Sequence, residues 1–171
     1  MVEEKNPELS EKEKEEIAEI VAIGALKYND LKEHRHSDIV FDWNKMLDFS
    51  GDSGPYLQYT YARLKSILRK APKVGEADFK QLTEESETAV LRHLIKFPEA
   101  IISSAESYLT NNLTLYLYQL ANLANRFYEK VPVIKDENTE RRNARLILID
   151  AVAATLKTGL NLLGLKVLEK I

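Results

Sequence analysis

Gly51-Asp52-Ser53-Gly54-Pro55-Tyr56-Leu57-Gln58-Tyr59-Thr60-Tyr61-Ala62-Arg63 begins with four residues that suit a tight loop and continues with a proline well placed at a first helical position. A proline is harmless there, because the first amides of a helix have no internal acceptor to lose. At about 100° per residue, Leu57, Tyr61, Leu64 and Leu68 gather on one face of this helix, and Tyr56, Tyr59, Arg63 and Lys70 on another. The first face reads as core. The second interleaves rings with cations, which suits unpaired nucleic-acid bases: rings stack on any base, and Arg or Lys neutralises the adjacent phosphates. Tyrosines on a bundle surface also pack at helix crossings with the hydroxyl in water, so the residues alone leave both readings open.

The same helical spacing continues on both sides of this segment. Ser10 and Glu13 match a capping box, and Ile17, Ile20, Val21, Gly24, Tyr28 and Leu31 follow at helical intervals. A break at His34 to Ser37 leads into an extended entry from Asp38 and one short helix around Trp43 to Leu47. The helix opened by Pro55 runs to about Lys70 and stops before Pro72, and residues 73–80 form a connector. Further helices are expected from about Glu84 to Lys96 and from Pro98 to about Tyr108. Asn111 or Asn112 can cap a long helix to Lys130, with Leu113, Tyr116, Leu117, Leu120, Leu123, Ala124 and Phe127 as its apolar stripe. After a loop, Asn138 or Thr139 can cap a last helix to about Leu163, which Gly164 terminates. No segment alternates strictly between apolar and polar residues, so the expected fold is an all-α, antiparallel helical bundle.

A length of 171 residues suits one domain. Cysteine is absent, which excludes disulfides, thiolate metal sites and Cys nucleophiles. No uninterrupted apolar run approaches the roughly 20 residues that span a bilayer, and the start is acidic, so a soluble chain without membrane partner or secretory signal is expected. The net charge of −3 hides a polarised distribution. Residues 1–20 carry eight Glu against three Lys, whereas residues 60–75 carry five cations and no acid. A local basic face is compatible with that acidic average.

No glycine-rich phosphate loop, HExxH, GxSxG or metal-spaced His cluster is present, and no catalytic or metal-binding residue is assigned. His34, His36 and His93 lack convergent partners and read as solvated or packed. Asp38, Asp42, Asp48 and Asp52 stand at turns and helix starts, where caps are their expected role. Arg141, Arg142 and Arg145 form a second basic group near a helix N-terminus, where the dipole disfavours cations. Either an anionic partner or the nearby Asp136, Glu137 and Glu140 can compensate them.

GDSGPYLQYTYAR, the preceding Asp38-Ile39-Val40-Phe41-Asp42-Trp43 and the closing Leu162 to Ile171 together closely resemble the C-terminal region of arginyl-tRNA synthetases. Asn143-Ala144-Arg145-Leu146-Ile147-Leu148 is similar to the start of that family's last long helix, and the similarity runs from about Ile20 to Ile171. The resemblance implies a DALR-type anticodon-binding bundle of the class I aminoacyl-tRNA synthetases over residues 20–171, with residues 1–19 as an acidic lead-in from a catalytic core. Its implied partner is the tRNA(Arg) anticodon stem-loop. Tyr56, Tyr59, Tyr128 and Ile171 map onto residues that approach the anticodon loop, and the loop ending at Gly54 shapes that surface, beside the cations Arg63 and Lys70. Many relatives end in Met where this chain has Ile171, and some carry an aromatic where it has Pro132, so no ring stacks at 132.

Every arginine codon has G in the middle, so a site for arginine tRNAs must read a middle cytosine and tolerate variety beside it. Relatives of full length bind ATP and Mg²⁺ in a catalytic domain with HIGH-like and KMSKS-like sequences, absent from these residues. The resemblance therefore implies a cytoplasmic, monomeric fragment that needs no cofactor of its own, is inactive alone and works joined to the catalytic core. Two alternatives compete with it: a protein-interaction bundle with a basic tyrosine-rich face, and a complete small enzyme.

Overall fold

In the computed structural model, which describes residues 10–169, the capping box forms as its spacing requires: the Ser10 hydroxyl accepts from the Glu13 amide and the Glu13 carboxylate accepts from the Ser10 amide. It starts α1 (Glu11–Lys32). Asp42 caps the short α2 (Trp43–Met46) by accepting from the amides of Asn44 and Lys45. Ser53 caps α3 (Gly54–Lys70): its Oγ accepts from the Tyr56 amide at 3.1 Å and donates to the Asp48 carbonyl. Then follow α4 (Glu85–Leu94), α5 (Phe97–Ser107), α6 (Thr110–Lys130) and α7 (Thr139–Leu162). No strand occurs among the described residues.

Three boundaries differ from the sequence expectation. The connector after α3 contains one turn of 3-10 helix, Phe79–Gln81, capped by Asp78. Helix α4 closes at Leu94, before Lys96. Helix α6 begins at Thr110 with no side-chain cap, because Asn112 turns instead to the hydroxyls of Ser103 and Ser107 on α5. Tertiary contact has overridden the local capping option.

The core lies where α3, α6 and α7 meet, with Leu57, Leu117, Leu120, Leu146, Leu156 and Leu160 fully buried. Each such leucine contributes roughly 1.5–3 kcal/mol by leaving water. Helix α1 covers α3 and α6, while α4 and α5 pack against α6. Gly24 and Gly54 set the α1–α3 distance: a Cβ on Gly54 would stand 2.5 Å from the Gly24 carbonyl oxygen. Gly164, at φ 71, ends the α7 region in the left-handed conformation expected of it. The chain then returns across α1 and α3. Lys27 Nζ donates to the Gly164 carbonyl at 2.9 Å, and Gln58 Nε2 donates to both the Lys166 carbonyl at 2.8 Å and the Ile20 carbonyl at 3.3 Å. No described helix is long and apolar enough to cross a membrane.

Candidate nucleic-acid interface

Helix α3 places its Tyr56-Tyr59-Arg63 side against α6, and the loop before α3 closes one end with Phe49 and Ser50. Between them lies a cleft of about 290 Å³. Its walls add Asn122, Asn125, Arg126 and Glu129, all from α6. That volume is about ten times the ~30 Å³ share of one liquid water, room enough for an unstacked pyrimidine.

Of the two readings left open for the tyrosines, Tyr56 takes the packed one, at the crossing of α3 and α6. It is buried, because residues 54–58 at the start of α3 lie against α1 through Gly54 and against α6 through Tyr56 itself. Its hydroxyl donates to Asn122 Oδ1 at 2.9 Å and accepts from Asn125 Nδ2 at 3.0 Å, and its ring meets Tyr118 edge-on at 5.8 Å. Burial raises the phenol's pKa against the opposing hydrogen bond from Asn125, so the group stays neutral. Tyr56 thus supplies a hydroxyl to the cleft floor, with little ring face to offer.

Tyr59 is half-buried and stands edge-on to Phe49 at 6.1 Å. Arg63 donates from Nη1 to Asn125 Oδ1 at 3.3 Å, and its guanidinium lies 5.2 Å from the centre of the Tyr128 ring. Arg63 and Tyr128, distant in sequence, are therefore one unit. Tyr128 also begins a second hollow, lined further by residues 131–135, where Pro132 presents no aromatic face. Lys70 is exposed but seven residues beyond Arg63, about 10 Å along the helix, outside the cleft wall. Gly54 is buried against α1 and shapes the surface only through that close approach. Ile171 and residues 1–9 of the acidic lead-in lie outside the described residues. The last described residue, Glu169, sits by Arg69 and the Tyr61 hydroxyl, on the other side of α3.

Phe49, Ser50, Asn122, Asn125, Arg126 and Glu129 are the cleft residues that the sequence reading missed. Asn122 and Asn125 did carry a signal: two amides three apart interrupt the polar face of α6 beside its apolar stripe.

The second basic group turns inward. Arg145 is buried, with Nε 2.5 Å from Glu87 Oε1 and Nη1 2.6 Å from Asp136 Oδ2 and 2.8 Å from the Pro132 carbonyl. Arg141 grips the same Asp136 through Nε at 2.6 Å and Nη2 at 2.8 Å, and Arg142 donates to the Asp136 carbonyl. Hydrogen bonding from Arg141 holds the Asp136 carboxyl below the usual carboxylate range. The compensating acids are Asp136 and the distant Glu87, while Glu140 bonds Gln81 instead. His93 stacks on Tyr116 at 4.4 Å and bonds its carbonyl, a packed histidine. Asp42 is a cap, Asp48 accepts from Ser50, and Asp52 accepts from the Tyr28 hydroxyl at 2.7 Å.

Comparison with known proteins follows this geometry. The family model for the DALR anticodon binding domain matches residues 57–171, and that for the catalytic domain of class I (R) tRNA synthetases matches residues 1–43. The arginine–tRNA ligase of Chromobacterium violaceum is 47% identical over 169 residues, covering 99% of this chain and 29% of the relative. That of Thermococcus kodakarensis is 44% identical over 180 residues, with 99% and 28% covered. The solved arginyl-tRNA synthetase of Thermus thermophilus superposes with a TM-score of 0.92 at 38% identity, over 99% of this chain and 29% of that one. The chain thus spans less than a third of these relatives' length.

Proposed function

The chain belongs to the DALR anticodon binding domain family, and from that premise we propose that it recognises the tRNA(Arg) anticodon stem-loop as the C-terminal domain of an arginine–tRNA ligase. The observation that carries this reading is the α3–α6 cleft, where rings, amides and the guanidinium groups of Arg63 and Arg126 converge. The half-buried Tyr59, backed by Phe49, offers an aromatic edge for an unstacked base. Asn122, oriented by the Tyr56 hydroxyl, offers its amide N–H groups to the acceptors of a cytosine edge, and Asn125 holds Tyr56 and Arg63 in place. Arg63 and Arg126 face the flanking phosphates. Lys70 and Ile171 are the further residues proposed to contact the tRNA.

The whole enzyme would join arginine to its tRNA in the cytoplasm, as a monomer, using ATP and Mg²⁺. Among the described residues no group of three or more His, Asp and Glu side chains able to hold a metal ion occurs. The reading assigns ATP and Mg²⁺ to the catalytic core to which residues 1–19 lead, and recognition to this domain.

Binding of an arginine-tRNA anticodon stem-loop to Tyr59→Ala and Arg63→Ala variants tests the reading. Each substitution is expected to weaken binding about tenfold, in line with roughly 1–3 kcal/mol per stacked base. Unchanged affinity in both variants refutes it.

A further inference from the structure

Every residue from 34 to 41 is exposed, and the run carries unusually large apolar side chains. Val40 is 79% exposed, Phe41 55%, Trp43 54% and Ile39 47%. Phe41 and Trp43 pack on each other instead of on the bundle, ring edge to ring face at 4.8 Å. The segment is nonetheless pinned at both ends. Upstream, Arg35 Nη1 donates to the carbonyls of Ser107 and Tyr108. Downstream, Asp42 caps α2 and Met46 is buried.

Four large apolar residues exposed within five positions mark a contact surface, and Trp and Phe are the residues that anchor such surfaces. The flanking charges select the class of partner. Asp38 precedes the strip and Asp42 lies within it, and no cation stands between residues 37 and 44. A phosphate backbone is repelled by this arrangement, so the strip faces protein. The family matches select which protein. Residues 39–43 close the stretch that matches the class I catalytic domain, whereas the anticodon-binding match begins only at 57. The relatives have more than two thirds of their length outside the region aligned here.

Resting on the family reading above, we propose that Ile39, Val40, Phe41 and Trp43 form the strip on which the class I catalytic domain of the same polypeptide seats. The seat is continuous with the cleft. Six residues beyond Trp43 the same segment delivers Phe49 against Tyr59, so one short stretch touches the catalytic domain at one end and the bound base at the other.

Amide hydrogen exchange on this 171-residue chain and on the full-length enzyme tests the seat. Exchange of the 39–43 amides is expected to slow at least about tenfold in the full-length enzyme. The double variant Phe41→Ser, Trp43→Ser is expected to lose that protection in the full-length enzyme, while the same variant of this chain binds the stem-loop as tightly as before. Trp43 is the chain's only tryptophan, so its emission reports the strip during a stem-loop titration and is expected to stay constant. Equal exchange in both proteins overturns the proposal, and so does a Trp43 emission change on adding the stem-loop, which makes the strip an RNA surface. Failure of this chain to bind the stem-loop, with protection of 39–43 intact, overturns the proposed function and leaves the seat standing.

Discussion

Arg63 and Arg145 each belong to a group of arginines on a helix, and the two groups have opposite fates. Arg145 is 4% exposed and lies between two carboxylates, Glu87 and Asp136. Arg63 meets the neutral Asn125 amide and the Tyr128 ring, with no carboxylate at ion-pair distance among the described residues. A guanidinium enclosed by acids is a structural tie. One held in place by neutral partners keeps its charge available for a phosphate.

Removing Arg145 should break this contrast most violently. Arg145→Ala leaves Glu87 buried and uncompensated, at a cost of about 3–5 kcal/mol. Its thermal midpoint should fall sharply, whereas Arg63→Ala should melt close to the parent and lose stem-loop binding instead. The next effect is acid sensitivity. Asp136 has its pKa lowered by folding, so it contributes stability in full above its unfolded pKa of roughly 4 and loses it as pH falls through the lower folded value. Urea midpoints measured between pH 6 and pH 3 should drop in the parent and drop less in Asp136→Asn. The mildest effect is expected from Arg126→Gln at the cleft rim. It should reduce the slope of log affinity for the stem-loop against log salt by about one unit, without moving the melting midpoint.

Most helix limits were legible because they depend on neighbours in sequence. Ser10 with Glu13 and Gly164 each did what local spacing predicts, and Pro55 lies second in α3, one residue past the first helical position expected of it. The two readings of Tyr56 stayed open because an angular wheel describes one helix in isolation and does not show that α6 lies against that side of α3. The fate of Arg145 was half legible: Asp136 is nine residues away, but Glu87 is 58 away and reaches it only through the packing of α4 against α7. The cleft was legible from one wall, since Tyr59 and Arg63 lie on one helix. Its other wall, Asn122 and Asn125, is fixed by which face α6 presents to α3, a tertiary fact.

The central claim is that the cleft reads a middle cytosine. Titrating this chain with anticodon stem-loops that differ only at the middle anticodon base tests it most directly. A cytosine preference of at least about tenfold is predicted, as one base contact of roughly 1–3 kcal/mol supplies. Equal affinity for all four bases would contradict it.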